Sequence, residues 1–164
     1  MQYPHQPVKR CSILTILLLI IALPAFTQHT MNNKTLIKEA FEKWAKGTGS
    51  FFDLLAPDVV WTITGKSAIA KTYTSKTQFI QEAIDPLNRR FSHKIVPTVK
   101  GIYAEADIVI ALWEGNAVAS DGKPYTNTYS WYMKISGGRI VAVTAFFESK
   151  DLDDIWYRIP DPQQ

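Results

Sequence analysis

The sequence predicts an α+β domain, with helices packed on one face of an antiparallel sheet. Three observations lead there. Apolar residues in the first half recur at helical steps, and in the second half they alternate as in strands. The strand-like segments are also separated by Gly-marked turns. At 164 residues, 46% apolar and 12% aromatic, the chain has the length of one domain and the composition to bury a core. Disordered chains are poor in aromatic residues, so that class is excluded. A single cysteine, Cys11, excludes an intramolecular disulfide framework and a cysteine-cluster zinc site.

Residues 1–27 read as an export signal rather than as part of the domain. Lys9 and Arg10 precede a nearly unbroken apolar run over residues 12–26, which contains the helix-ending Pro24. That run is shorter than the roughly 20 residues a membrane-spanning helix needs. Cleavage is expected after Thr27, and the alternative is a membrane anchor formed by residues 12–26. Cys11 stands at the start of the run, where a lipoprotein anchor would need it just after the run. The expectation is an exported protein, periplasmic or secreted, with no membrane attachment after cleavage. Without residues 1–27 the charge falls from 18 basic against 15 acidic residues to 16 against 15, so no acidic partner is indicated.

The domain is expected over residues 32–159. Leu36, Ala40, Phe41 and Trp44 form a helical stripe that Asn33 or Thr35 can cap and that Gly47 and Gly49 end. Residues 51–55 form a short helical turn stopped by Pro57. Residues 59–64 are β-branched and aromatic, a strand ending at Gly65. Residues 77–87 read as a third helix, with Phe79, Ile80, Ala83 and Ile84 on one side. Strands are then expected over 91–96, 101–103, 107–117, 125–135 and 139–148. Asp121-Gly122 and Gly137-Gly138 mark the tight links between the long strands, and residues 151–157 add a last helical turn.

The strand 125–135 is the most informative. Tyr125, Asn127, Tyr129, Trp131 and Met133 share one face, which suits a mostly apolar pocket with an orienting amide or, equally, a plain core. The strand 107–117 places Trp113 on one side and Ile110 and Leu112 on the other. A strand apolar on both sides needs helices over one face and something else, such as a second subunit, over the other.

This order of elements resembles the nuclear transport factor 2-like superfamily, and within it the SnoaL-like, ketosteroid isomerase-like group. Val59-Val60-Trp61-Thr62-Ile63-Thr64-Gly65 is similar to that group's first strand. Residues 67–73 and 76–80 are similar to its connection into the third helix. Residues 125–131, 138–141 and 145–148 are similar to its last two strands. The resemblance implies a cone-shaped half-barrel around a deep pocket, and a homodimer through the outer sheet face. Ligand-binding candidates are Trp61, Tyr73, Trp113, Asn127, Tyr129 and Trp131, for a small apolar or aromatic molecule.

The family's isomerase chemistry does not carry over residue by residue. Its Asp base would fall near Thr62 or Ile63, where neither side chain can take a proton from carbon. No Tyr occurs over residues 31–72 to act as the donor on the first helix, and no Asp or Glu over 122–147 to act as the second donor. A cyclase-like lyase, isomerase or hydrolase would have to use His93 or Glu148 as acid or base. Three readings stay open: a binding protein without established catalysis, an enzyme using His93 or Glu148, and a non-catalytic dimerisation module. Asp151, Asp153 and Asp154 read as a solvated acidic face rather than a metal site. No phosphate-binding loop, nucleophile elbow or basic groove is present, so no cofactor and no nucleic acid are expected.

Overall fold

A computed structural model of the protein describes residues 24–163, with side chains from residue 32 onward. The expected export segment therefore lies outside the described residues, except for residues 24–27, which are the first turn of helix α1 (Pro24–Ala45). Among the described residues no helix is long and apolar enough to cross a membrane.

Helix α1 starts earlier than its stripe suggests, so Asn33 and Thr35 are interior and cap nothing. Asn33 is buried instead, and its amide donates to the carbonyl of Ala106, 3.4 Å away. Of the expected stripe, Ala40 and Phe41 are buried while Leu36 and Trp44 are half-buried, and Ile37, outside the expected stripe, is fully buried where the helix lies against residues 91–105. Its end is closed by Gly47 at φ 66°, with Thr48 N–H donating to the Lys43 carbonyl at 2.9 Å. Ser50 then caps a 3-10 turn, Phe51–Leu54, through a reciprocal bond with Asp53.

Six strands follow: β1 (Leu55–Ile63), β2 (Thr72–Tyr73), β3 (Phe91–Glu105), β4 (Ile108–Ala119), β5 (Pro124–Ser136) and β6 (Arg139–Phe147). They form one open sheet in the order β2-β1-β6-β5-β4-β3, antiparallel except where β1 runs parallel to β6. Between β2 and β3 the chain is helical from Lys76 to Asn88, as α2 (Lys76–Phe79), a π-turn (Ile80–Ile84) and α3 (Asp85–Asn88). Widening of this helix just ahead of Pro86 fits that residue's missing N–H. A last helix, α4 (Ser149–Arg158), buries Leu152 and Ile155 and is capped by the Glu148 carboxylate, which accepts from Lys150 N–H at 3.1 Å.

Three expectations about the strands are corrected. Pro57 does not stop the chain before the first strand, because β1 already begins at Leu55 and bulges between Leu55 and Val60. The segments 91–96 and 101–103 are one strand, β3, whose pairing with β4 slips at three places. Strand β2, two residues long, was below what alternation can reveal. The alternation within β4 and β5 holds. Val109, Ala111, Trp113, Gly115 and Ala117 are buried on the helix-covered face together with Tyr125, Asn127, Tyr129, Trp131 and Met133.

Outside the sheet, the C-terminal tail is tied down by charge. Asp161 receives two hydrogen bonds from Arg89, at 2.8 and 2.7 Å. Buried Arg90 donates to the carbonyls of Pro86 (2.7 Å) and Ile159 (3.0 Å), and lies 4.2 Å over the Trp156 ring.

Candidate functional site

Aromatic residues from every layer meet over the inner face of the sheet. Trp61, from β1, stacks on Phe79 of α2, with ring centroids 4.2 Å apart. Trp113, from β4, stacks on Tyr129 of β5 at 4.1 Å, a pair set by the β4–β5 register. Between them stands Trp131, near-perpendicular both to Trp61 (5.1 Å, 82°) and to Trp113 (4.7 Å, 73°). From α1 and the following 3-10 turn, Trp44, Phe51 and Phe52 close over the same cluster.

These rings leave a cavity of about 420 Å³, within the ordinary size of small-molecule sites. Its apolar walls include Trp44, Phe52, Trp61, Phe79, Trp113 and Trp131. Its polar lining is Ser50, Asn88, Lys94 and Tyr129. Lys94 and its neighbour Ile95 lie where β3 slips against β4, between the His93–Val118 and Val96–Asn116 pairs. That bulge brings two consecutive residues to the cavity lining, Ile95 half-buried and Lys94 exposed at the rim. Gly115 makes the room. A Cβ there would sit 2.8 Å from Ile95 Cγ2 and 3.1 Å from the Trp113 and Tyr129 rings.

Trp61, Trp113, Tyr129 and Trp131 thus come together around one cavity. Two other ligand-binding candidates do not line it. Tyr73 is buried behind Phe79, and its hydroxyl donates to the Ile69 carbonyl at 2.8 Å. Burial pushes that hydroxyl up to about 12. Asn127 spends its amide on the backbone. Its Nδ2 donates to the Glu148 carbonyl (2.8 Å) and to the Tyr125 hydroxyl (3.0 Å), and its Oδ1 accepts from Glu148 N–H (3.1 Å). The residues missed by sequence reading were Trp44, Phe52 and Phe79, assigned to helical packing stripes or turns, and Asn88, Lys94 and Ile95.

The two acid-base candidates also lie apart from the cavity. His93 is exposed on β3, its ring 3.4 Å from the Ser92 hydroxyl. Glu148 is exposed and occupied in capping α4. Neither lines the cavity, and the lining holds no His, Cys, Asp or Glu. Tyr129 shares a 2.7 Å hydroxyl contact with Tyr125, and burial raises its pKa well above the ordinary value, so it stays a neutral phenol. Among the described residues no three His, Cys, Asp or Glu side chains converge to hold a metal. The arrangement can enclose a flat apolar molecule and offer it hydrogen-bond donors.

No protein-family model matches the chain, and no curated protein matches it. Solved structures do match. A nuclear transport factor 2-like protein from Burkholderia thailandensis E264 superimposes with a TM-score of 0.62 at 14% identity, over 75% of this chain and 95% of that one. A candidate SnoaL-like polyketide cyclase from Jannaschia sp. CCS1 gives 0.62 at 12% identity, over 80% and 96%. A protein with a ketosteroid isomerase-like fold from Catenulispora acidiphila, in complex with trimethylamine, gives 0.57 at 16% identity, over 76% and 94%. At these identities the likeness is one of fold, and this fold hosts many chemistries. With helices packed on an open, mostly antiparallel six-stranded sheet, this chain has the nuclear transport factor 2-like fold.

Proposed function

We propose that the protein is an exported pocket protein that binds a small apolar or aromatic molecule. The observation that carries this is the cavity ringed by Trp61, Trp113 and Trp131. Its lining is mostly apolar and holds no His, Cys, Asp or Glu. His93 and Glu148, the two acid-base candidates, are both exposed and outside the lining. Export rests on the N-terminal apolar run after Lys9 and Arg10. Native mass spectrometry of protein purified from its host compartment tests both parts. The expected result is a mass beginning near residue 28 and carrying a bound small molecule. A ligand-free protein whose tryptophan emission no aromatic compound perturbs would sink the binding reading.

A specific observation also supports assembly with a second copy through the outer sheet face. In register across that face stand Tyr103, Ile110 and Tyr132, and in the next row Leu112 and Phe146. All are exposed, Tyr103 at 65% and Phe146 at 48%. Ser130 separates Leu112 from Phe146, and exposed apolar side chains gathered on one face in this way mark contact surfaces. Sedimentation equilibrium should give a dimer, and Leu112→Glu a monomer with an unchanged circular dichroism spectrum. A monomeric parent protein would exclude this assembly.

A further inference from the structure

The polar residues of the cavity lining are few: Ser50, Asn88, Lys94 and Tyr129. The Ser50 oxygen is already accepting from Phe52 N–H. Lys94 is the one charged residue of the lining and makes no ion pair among the described residues, whereas Lys71, Lys100 and Lys134 each reach a carboxylate. Lys94 therefore gives the lining a net positive charge.

Two ligand chemistries suit a ring of tryptophans. A quaternary ammonium can sit against the ring faces, or a flat conjugated ring can stack among them. The first is opposed by Lys94 and finds no carboxylate in the lining to neutralise it. The second gains from Lys94 and Asn88 if it ends in an acceptor. Resting on the binding reading above, we infer that the cavity selects flat aromatic molecules that carry an anionic, acceptor-rich end such as a carboxylate. The ring lies among Trp61, Trp113 and Trp131, and the carboxylate meets Lys94 and Asn88. Asn88 is half-buried at the end of α3 and has an Nδ2 that can donate.

Calorimetric titration with three isosteric probes tests this on the full domain: naphthalene-2-carboxylate, its neutral carboxamide, and the naphthalen-2-yl trimethylammonium ion. The carboxylate should bind about three- to fivefold tighter than the carboxamide, the range of a solvent-accessible charge pair. That preference should shrink with added salt. Lys94→Met, a change at an exposed side chain, should abolish the preference by weakening the carboxylate more than the carboxamide. Equal affinity for carboxylate and carboxamide, or a preference that survives Lys94→Met, overturns the charge assignment while the binding reading stands. Tightest binding of the trimethylammonium ion overturns it in favour of an aromatic cation cage. If none of the three binds, the binding reading itself falls, and this inference with it.

Discussion

Trp113 lies flat on Tyr129, its ring plane 9° from parallel, because the two face each other directly across the β4–β5 ladder. The stack joins the cavity wall to a buried hydroxyl pair, since Tyr129 also meets Tyr125 at 2.7 Å. The two contributions can be separated. Tyr129→Phe keeps the stack and removes the hydroxyl contact, for an expected loss of about 0.5–1.5 kcal/mol. Trp113→Ala removes a fully buried ring, for about 3–5 kcal/mol. Urea unfolding measures both, and a Tyr129→Phe loss as large as the Trp113→Ala loss would refute the separation.

Gly115 is expected to tolerate no side chain. An added methyl would press on Ile95, Trp113 and Tyr129 together. Ile95 sits in a bulge and can yield, but the stacked rings cannot. Gly115→Ala should destabilise by about 1–3 kcal/mol and alter the near-ultraviolet circular dichroism of the tryptophans. A melting temperature equal to the parent's would show that the bulge absorbs the methyl freely.

Asn127 should act as a clamp on the last helix. Its amide holds both the N–H and the C=O of Glu148, the residue that caps α4. Asn127→Leu fills similar space but leaves those groups without their partner, at about 1–3 kcal/mol. Amide hydrogen exchange should show faster exchange at Glu148 and through residues 149–152, while β4 stays protected. Uniform protection across α4 in the variant would argue against a clamp.

Acid should release the C-terminal tail. Hydrogen bonds from Arg89 hold the buried Asp161 carboxyl below its ordinary 3.8, at about 2. A carboxyl with a depressed folded-state pKa stabilises the fold above its unfolded value, and that contribution disappears as pH falls toward the folded value. The parent protein should therefore lose stability between pH 4 and pH 2 more steeply than Asp161→Asn, which lacks the titrating group. The check is a pair of thermal melts across that window, and parallel curves would dismiss the tail as the acid-labile element.

Regular segments were legible in the sequence, and irregular ones were not. Alternation in residues 107–117 and 125–135 placed Trp113, Tyr129 and Trp131 on the buried face because each strand keeps its period for its whole length. The stripe through Leu36, Ala40, Phe41 and Trp44 was equally periodic, yet period alone cannot tell a ring that fills a core from one that walls a cavity. Lys94 was invisible for another reason. Its direction depends on a slip in pairing with β4, a tertiary event that shifts the face without leaving a mark on local composition. Asn127 was seen as a polar group on an apolar face, but its partner, the Glu148 backbone, carries no side-chain signature.

The irregular course of β3 has one more consequence. This strand is the last in the sheet order and runs for 15 residues, so its free side could template the addition of a further strand from another molecule. Three slips in pairing, together with Pro97 near its middle, interrupt the row of free amides that such growth needs. At the opposite border β2 offers two residues. The sheet thus resists linear stacking into fibres at both margins, and the bulge that admits Lys94 to the cavity also guards the molecule against polymerisation.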